Sequence, residues 1–172
     1  TLREAEISGE NISNIKGKNL IPAFYLNELI LSFLKIADPY PDLFKLYTAT
    51  LHDLSELKSI EPSLRRFEIF LLSEIGYAIN FETETLSQKP IEAGLNYVFT
   101  AGQGFVSKRD QNSGSFLIKG LWIKAINEGD FSDPETLRCA KKIVRLSIQY
   151  HLDGKELMSK KVFKSIERKS GE

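Results

Sequence analysis

Two adjacent arginines, Arg65 and Arg66, stand in the stretch "SLRRFEIFLLSEIGY", whose body is otherwise largely apolar. A guanidinium can grip a carboxylate or phosphate with two parallel hydrogen bonds, so the pair is either a ligand fork or the solvated end of a packed helix. On a helical projection Arg65 lines up at i+4 and i+7 with Ile69 and Leu72. That places it at the edge of an apolar surface, whereas Arg66 falls nearer Phe70 and is read as solvated or paired with an acid. A second group is Arg138, Lys141, Lys142 and Arg145, at i, i+3, i+4 and i+7 on one helical face, with Leu137, Ala140, Val144 and Ile148 opposite. Such a face is an ordinary solvated surface or a neutraliser of phosphates. Further lysines at 155, 160, 161 and 164 favour nucleic acid.

Other chemistry is hard to assemble. His52 and His151 have no nucleophile or carboxylate array in their sequence neighbourhood, and both read as surface or helix-end histidines. Gly102-Gln103-Gly104 lacks the lysine and helix start of a phosphate loop and reads as a tight hairpin. Cys139 stands alone, so neither a disulfide framework nor a cysteine-based zinc cluster can form within the chain. No catalytic constellation emerges, and an enzyme is not expected.

The elements that must carry these residues are mostly helical. Residues Leu20 to Ala37 are apolar on nearly every side and predict a central, largely buried helix. "DPYPDLF" interrupts it, and Pro41 suits the first turn of a second helix carrying Leu43, Phe44, Tyr47, Leu51 and Leu54 on one stripe. A third opens near Glu61-Pro62-Ser63, buries Leu64, Phe67, Leu71 and Ile75, and stops at Gly76. Residues Phe81 to Glu92 are polar and aperiodic, a loop; "LNYVFTAGQGFVSK" alternates as a small β-hairpin. Helical spacing returns at "LIKGLWIKAINEG", resumes from Pro134 to His151 after the capping signal "SDPE", and closes with a short helix from about Ser159 to Glu167.

At 172 residues and balanced formal charge, the chain fits one ordinary core. Its charge is nonetheless uneven, because the segment from Arg138 to Glu172 holds ten basic against four acidic residues. "LIPAFYLNELILSFLKIAD" is broken by Asn27 and Glu28, so no membrane span is expected, and a reducing cytoplasm suits the cysteine usage. The chain begins at Thr1, and "TLREAEISG" reads as a strand leaving an upstream unit of a longer protein.

Five runs, "YLNELILSFL", "DLFKLYTATLHDL", "LRRFEIFLLSEIGYAINFE", "DPETLRCAKKIVR" and "YHLDGKELMSKKVF", resemble in order and spacing the C-terminal two thirds of the RecO family of bacterial DNA-repair proteins. The resemblance implies a mainly α fold, a helical domain with a small β-hairpin insertion. Residues 1–19 would be the exit segment of an oligonucleotide-binding barrel absent from this chain, 20–80 and 107–172 the helical domain, and 81–106 the insertion. It further implies a recombination mediator that helps load the recombinase on single-stranded DNA, anneals strands, works with RecR, and docks the acidic C-terminal tail of the single-stranded-DNA-binding protein. Many family members hold zinc through cysteines in the insertion; none stands there in this chain, and no cofactor is expected. For an acidic tail ending in an aromatic residue, the expected site is Arg65 as fork with Ile69 and Leu72 as apolar wall, and Leu43, Phe44 and Tyr47 as another. Arg138, Lys141, Lys142 and Arg145 are the expected DNA contacts. A protein adaptor that binds only the tail or RecR is the alternative.

Overall fold

Pro41, Pro134 and Gly76 set three helix ends where the sequence placed them. The computed structural model describes residues 15–35, 38–56, 59–108, 116–153 and 155–159. Among these, five α-helices run in the order α1 (Leu20–Phe33), α2 (Pro41–Ser55), α3 (Ile60–Glu74), α4 (Gly120–Asn127) and α5 (Pro134–His151). Between α3 and α4 lie β1 (Asn96–Thr100), β2 (Gly104–Ser107) and β3 (Leu117–Lys119). Pro41 opens α2 and Pro134 opens α5, where a missing amide proton is no loss. Asp133 caps α5, its carboxylate accepting the Glu135 N–H at 3.0 Å and the Trp122 indole N–H at 2.9 Å. At the far end of α3, Gly76 adopts φ +82° while its N–H reaches Ser73 O and that of Tyr77 reaches Leu72 O at 2.7 Å. This closure satisfies two orphan carbonyls. The "TLREAEI" segment and nearly all of the expected final helix lie outside the described residues.

The hairpin forms as the alternation predicts, and it recruits a third strand that periodicity missed. β1 pairs antiparallel with β2 and with β3, giving the order β2-β1-β3. Leu117–Lys119 was expected to begin a helix; instead it pairs with the open edge of β1, and the helix starts at Gly120. Gly120 is obligatory there, since a Cβ would stand 1.9 Å from the Glu92 carbonyl oxygen. Unpaired strand edges are unsatisfied hydrogen-bonding groups, and this one outcompetes three residues of helical spacing. Within the aperiodic stretch, Phe81 and Ile91 are buried under the sheet, and the Glu84 carboxylate accepts from Ser107 N–H and O–H.

Two apolar clusters result. Leu26, Leu29, Leu43, Leu51, Leu54, Phe67 and Leu71 form the first, between α1, α2, α3 and the second half of α5. Tyr97, Phe105, Ile118, Ile123 and Phe131 form the second, between sheet, α4 and the first half of α5. α5 is the wall common to both, with Cys139, Ala140 and Ile143 in one and Val144 and Ile148 in the other. α1 ends at Phe33, short of the expected Ala37, and is less buried than expected. Leu26 and Leu29 are its buried residues, while Leu20, Phe24 and Leu31 are exposed, because only one of its sides meets packed neighbours. Phe44 of α2, expected on the core stripe, is 65% exposed. Residues 155–159 return to α1, where Glu28 accepts the Ser159 N–H at 2.9 Å and O–H at 2.6 Å. Burial would raise the Glu28 carboxyl, but the bonds from Ser159 and Met158 outweigh it and hold the pKa below the usual range.

The core also contains charge. Arg65 is 5% and Glu68 2% exposed, on the inward face of α3 beside Leu64 and Leu72. Arg65 Nη2 donates to Glu68 Oε1 at 2.9 Å, and Tyr25 of α1 donates to the same oxygen at 2.6 Å. The Nε–Oε2 approach of 2.8 Å is an electrostatic contact without an aligned hydrogen bond. Burial pushes the Glu68 pKa up against the pull of Arg65 and Tyr25. Burial and the adjoining Glu68 carboxyl raise the Tyr25 phenol well above its ordinary value.

Removing one partner leaves the other buried without its counter-charge, at the cost of desolvation or of forced neutralisation. Arg65→Ala is expected to destabilise the fold by about 3–5 kcal/mol, whereas Arg65→Met combined with Glu68→Leu is expected near the parental stability or above it. Urea denaturation of both variants measures this. A single variant that loses less than about 1 kcal/mol would mean that water reaches the pair.

Candidate nucleic-acid interface

α5 carries the cationic face. All four predicted residues, Arg138, Lys141, Lys142 and Arg145, are exposed on it. The opposite face is wider than the predicted stripe: Ala140, Val144 and Ile148 are buried, joined by Thr136, Cys139, Ile143 and Ser147, while Leu137 is only half-buried. Small polar side chains at helical spacing, Thr136, Cys139 and Ser147, were the overlooked signal. Ser147 satisfies its hydroxyl within the helix by donating to Ile143 O at 3.1 Å.

The four cations divide into two pairs. Arg138 donates to Glu135 Oε2 from Nη2 at 2.6 Å, and Lys141 reaches Glu61 of α3 at 2.8 Å. The ammonium of Lys142 lies 3.6 Å from the ring centroid of Phe116, and among the described residues neither Lys142 nor Arg145 meets a carboxylate. Exposed ion pairs hold little net energy, so a phosphate can replace Glu135 or Glu61 at small cost. Among the described residues the face thus presents two cations without a carboxylate partner and two whose carboxylates are exchangeable.

The predicted peptide site does not come together. Arg65, the expected fork, is consumed by Glu68 inside the core, and Leu72 and Leu43 are fully buried. A helical projection puts Arg65 at the margin of the apolar stripe; Glu68 one turn on and Tyr25 from α1 turn that margin inward by neutralising it. The second expected wall does form: Leu43, Phe44 and Tyr47 together line a groove of about 470 Å³ between α1 and α2 with Ile30, Leu31, Leu34 and Tyr40, but Arg65, Ile69 and Leu72 are not among its lining residues. Its charged lining residue is Asp38, which disfavours an acidic ligand. The exposed arginine is Arg66. Its Nη2 donates to Gly129 O at 3.2 Å and its guanidinium lies 5.4 Å from the Phe131 ring centroid, in an open cleft with Pro62, Ser63 and Ser132. Asp53 and Asp130 share this cleft, so one cation stands against two carboxylates among its lining residues, and Arg66 alone can attract an acidic ligand there.

His52 is exposed on α2, and the His151 ring stacks on Tyr77 at 3.8 Å. Among the described residues no group of three or more His, Cys, Asp or Glu is placed to hold a metal ion, and no helix is long and apolar enough to cross a membrane. Cys139 is fully buried, and burial pushes its thiol up to about 11.

Comparison with known proteins gives one consistent result. The family described as "Recombination protein O C terminal" matches residues 16–161. DNA repair protein RecO of Aliivibrio salmonicida is 37% identical over 164 residues, covering 95% of this chain and 68% of that protein. RecO of Cellvibrio japonicus is 38% identical over 149 residues, 87% of this chain and 63% of its own length. RecO of Photobacterium profundum is 36% identical over 149 residues, with 87% and 62% covered. The chain therefore spans about two thirds of these relatives.

A thiol with so high a pKa, sealed between α5 and the sheet, is a poor nucleophile. Cys139 is expected to resist an aromatic disulfide reagent in the native protein at pH 8 and to react fully in denaturant. Rapid native labelling, followed by absorbance, would show that this wall opens.

Proposed function

The chain belongs to the recombination protein O C-terminal family, and we propose that it serves DNA repair as part of a recombination mediator that binds single-stranded DNA through the cationic face of α5. In this reading it contributes to loading the recombinase and annealing strands, and it works with RecR. The observation that carries it is the pair Lys142 and Arg145, which project from a rigid helix with no carboxylate partner among the described residues. Phosphate binding needs no more than unneutralised charge held in place, and it supplies affinity without reading sequence. The acidic tail of the single-stranded-DNA-binding protein is assigned to Arg66, with Phe131 and Pro62 as its apolar wall. That replaces Arg65 by its neighbour on the ground of exposure. A protein adaptor that never touches DNA is the second reading, favoured by Arg138 and Lys141 already facing acids.

Salt dependence separates the two. Each phosphate contact on a single strand contributes about 0.7 to the slope of log affinity against log salt, so Lys142→Ala with Arg145→Ala is expected to flatten it by about 1.4. Affinity should fall alike for oligonucleotides of different sequence. Parental affinity and slope in the double variant would favour the adaptor.

Arg66→Ala is expected to weaken an acidic peptide ending in phenylalanine by roughly 1.5–3 kcal/mol, the scale of a charge-assisted hydrogen bond. Fluorescence anisotropy with a labelled peptide reads the change. Binding equal to the parent's would place the peptide outside this cleft.

A further inference from the structure

The C-terminal end of α5 gathers three rings that no periodicity argument connected. Tyr77 follows the glycine that closes α3, its backbone pinned by the bond to Leu72 O. His151 ends α5, and its ring lies 3.8 Å from that of Tyr77 at an interplanar angle of 9°. Tyr150 meets His151 edge-on at 5.0 Å and 85°. Tyr77 and Tyr150 are nevertheless 46% and 59% exposed. The hairpin turn clamps Tyr150 from the other side: a Cβ at Gly102 would stand 2.7 Å from its ring, and Gly102 has φ +76°. Among the described residues neither phenol makes a hydrogen bond, so the tyrosines' polar ends do not explain the arrangement.

We propose that Tyr77, Tyr150 and His151 form a base-stacking platform for single-stranded nucleic acid at the C-terminal end of α5, beyond its cationic residues and to one side of them. The proposal rests on the reading of the α5 cationic face as a phosphate contact. His151 covers one face of Tyr77, and a base on the other face would extend the stack. Both tyrosines are held by backbone or glycine contacts before any ligand arrives, so little side-chain freedom remains to be lost on binding. Reach from Lys142 selects the occupant. Lys142 precedes Tyr150 by eight residues, about 12 Å along the helix axis and about 80° around it, whereas Arg145 lies about 140° around from Tyr150. Exposed Lys155 is balanced near the rings by exposed Glu74, Asp153 and Glu156, so the attraction for phosphate comes from Lys142 and not from the rings' own surroundings. Flat rings about 12 Å along the axis from that lysine match a strand whose phosphates reach it and whose bases are themselves flat, and stacking accepts any base.

The test compares a labelled oligothymidylate with an abasic strand of equal length, each titrated by anisotropy against the full chain. Tyr77→Leu and Tyr150→Leu are expected to lose about 5- to 100-fold affinity for the thymidylate, with an unchanged salt slope and an unchanged affinity for the abasic strand. Tyr150→Phe should keep the parental value, and thermal unfolding verifies that each variant is folded. Tyrosine variants that bind thymidylate like the parent, while Lys142→Ala with Arg145→Ala flattens the slope, would overturn the platform and leave the phosphate reading standing. Equal losses on both strands would make the tyrosines structural and also overturn it. A parent chain that binds neither strand would remove both readings together.

Discussion

The pair Arg65–Glu68 decides how α3 is turned, and most of the remaining architecture follows from that rotation. Adjacent helical residues differ by about 100°, so only one of two consecutive arginines can face the core. A buried guanidinium is tolerated only against a carboxylate, and Glu68, one turn away and hydrogen-bonded to Tyr25 of α1, supplies it. Among the described residues Arg66 has no such partner, and it stays outside. Such a pair adds little net stability compared with hydrophobic residues of equal volume. What it does is penalise other rotations of α3, each of which would strand one of these charges. With α3 set, Glu61 faces Lys141 of α5, Ser63 faces Asp53 of α2, and Tyr77 leaves the end of α3 at the point where His151 arrives.

α5 then converts this helical packing into a surface. Its buried stripe belongs to two clusters, the first half to the sheet and α4, the second to α1, α2 and α3. A helix held on both halves cannot roll, so its outward side chains keep a fixed spacing. The phosphate contacts proposed for this face would gain from that rigidity, because long cationic side chains already lose rotational freedom on binding and a mobile base would add to the loss. The sheet takes part directly, since Phe116 lies under Lys142 and the β1–β2 turn abuts Tyr150. A module that looks like a detour in the helical domain thus shapes one side of the face.

Residue types and spacing determined the helices, their proline starts, the glycine closure of α3, the hairpin and the exposure of Arg138, Lys141, Lys142 and Arg145. These are local matters, settled by hydrogen bonds and periodicities that reach a few residues. The five runs resembling RecO carried further, since their order and spacing together lead to the same family as the match over residues 16–161. Tertiary structure alone decided which arginine is buried, that Leu117–Lys119 joins β1, that Phe44 and one side of α1 remain uncovered, and that Tyr77, Tyr150 and His151 meet. Each depends on partners from other elements: Tyr25 lies 43 residues from Glu68, and the Gly102 turn that abuts Tyr150 belongs to the sheet, not to α5. The energy of burying a charge, an open strand edge or a ring depends on what stands opposite it, and a pattern within one helix or strand does not contain that neighbour.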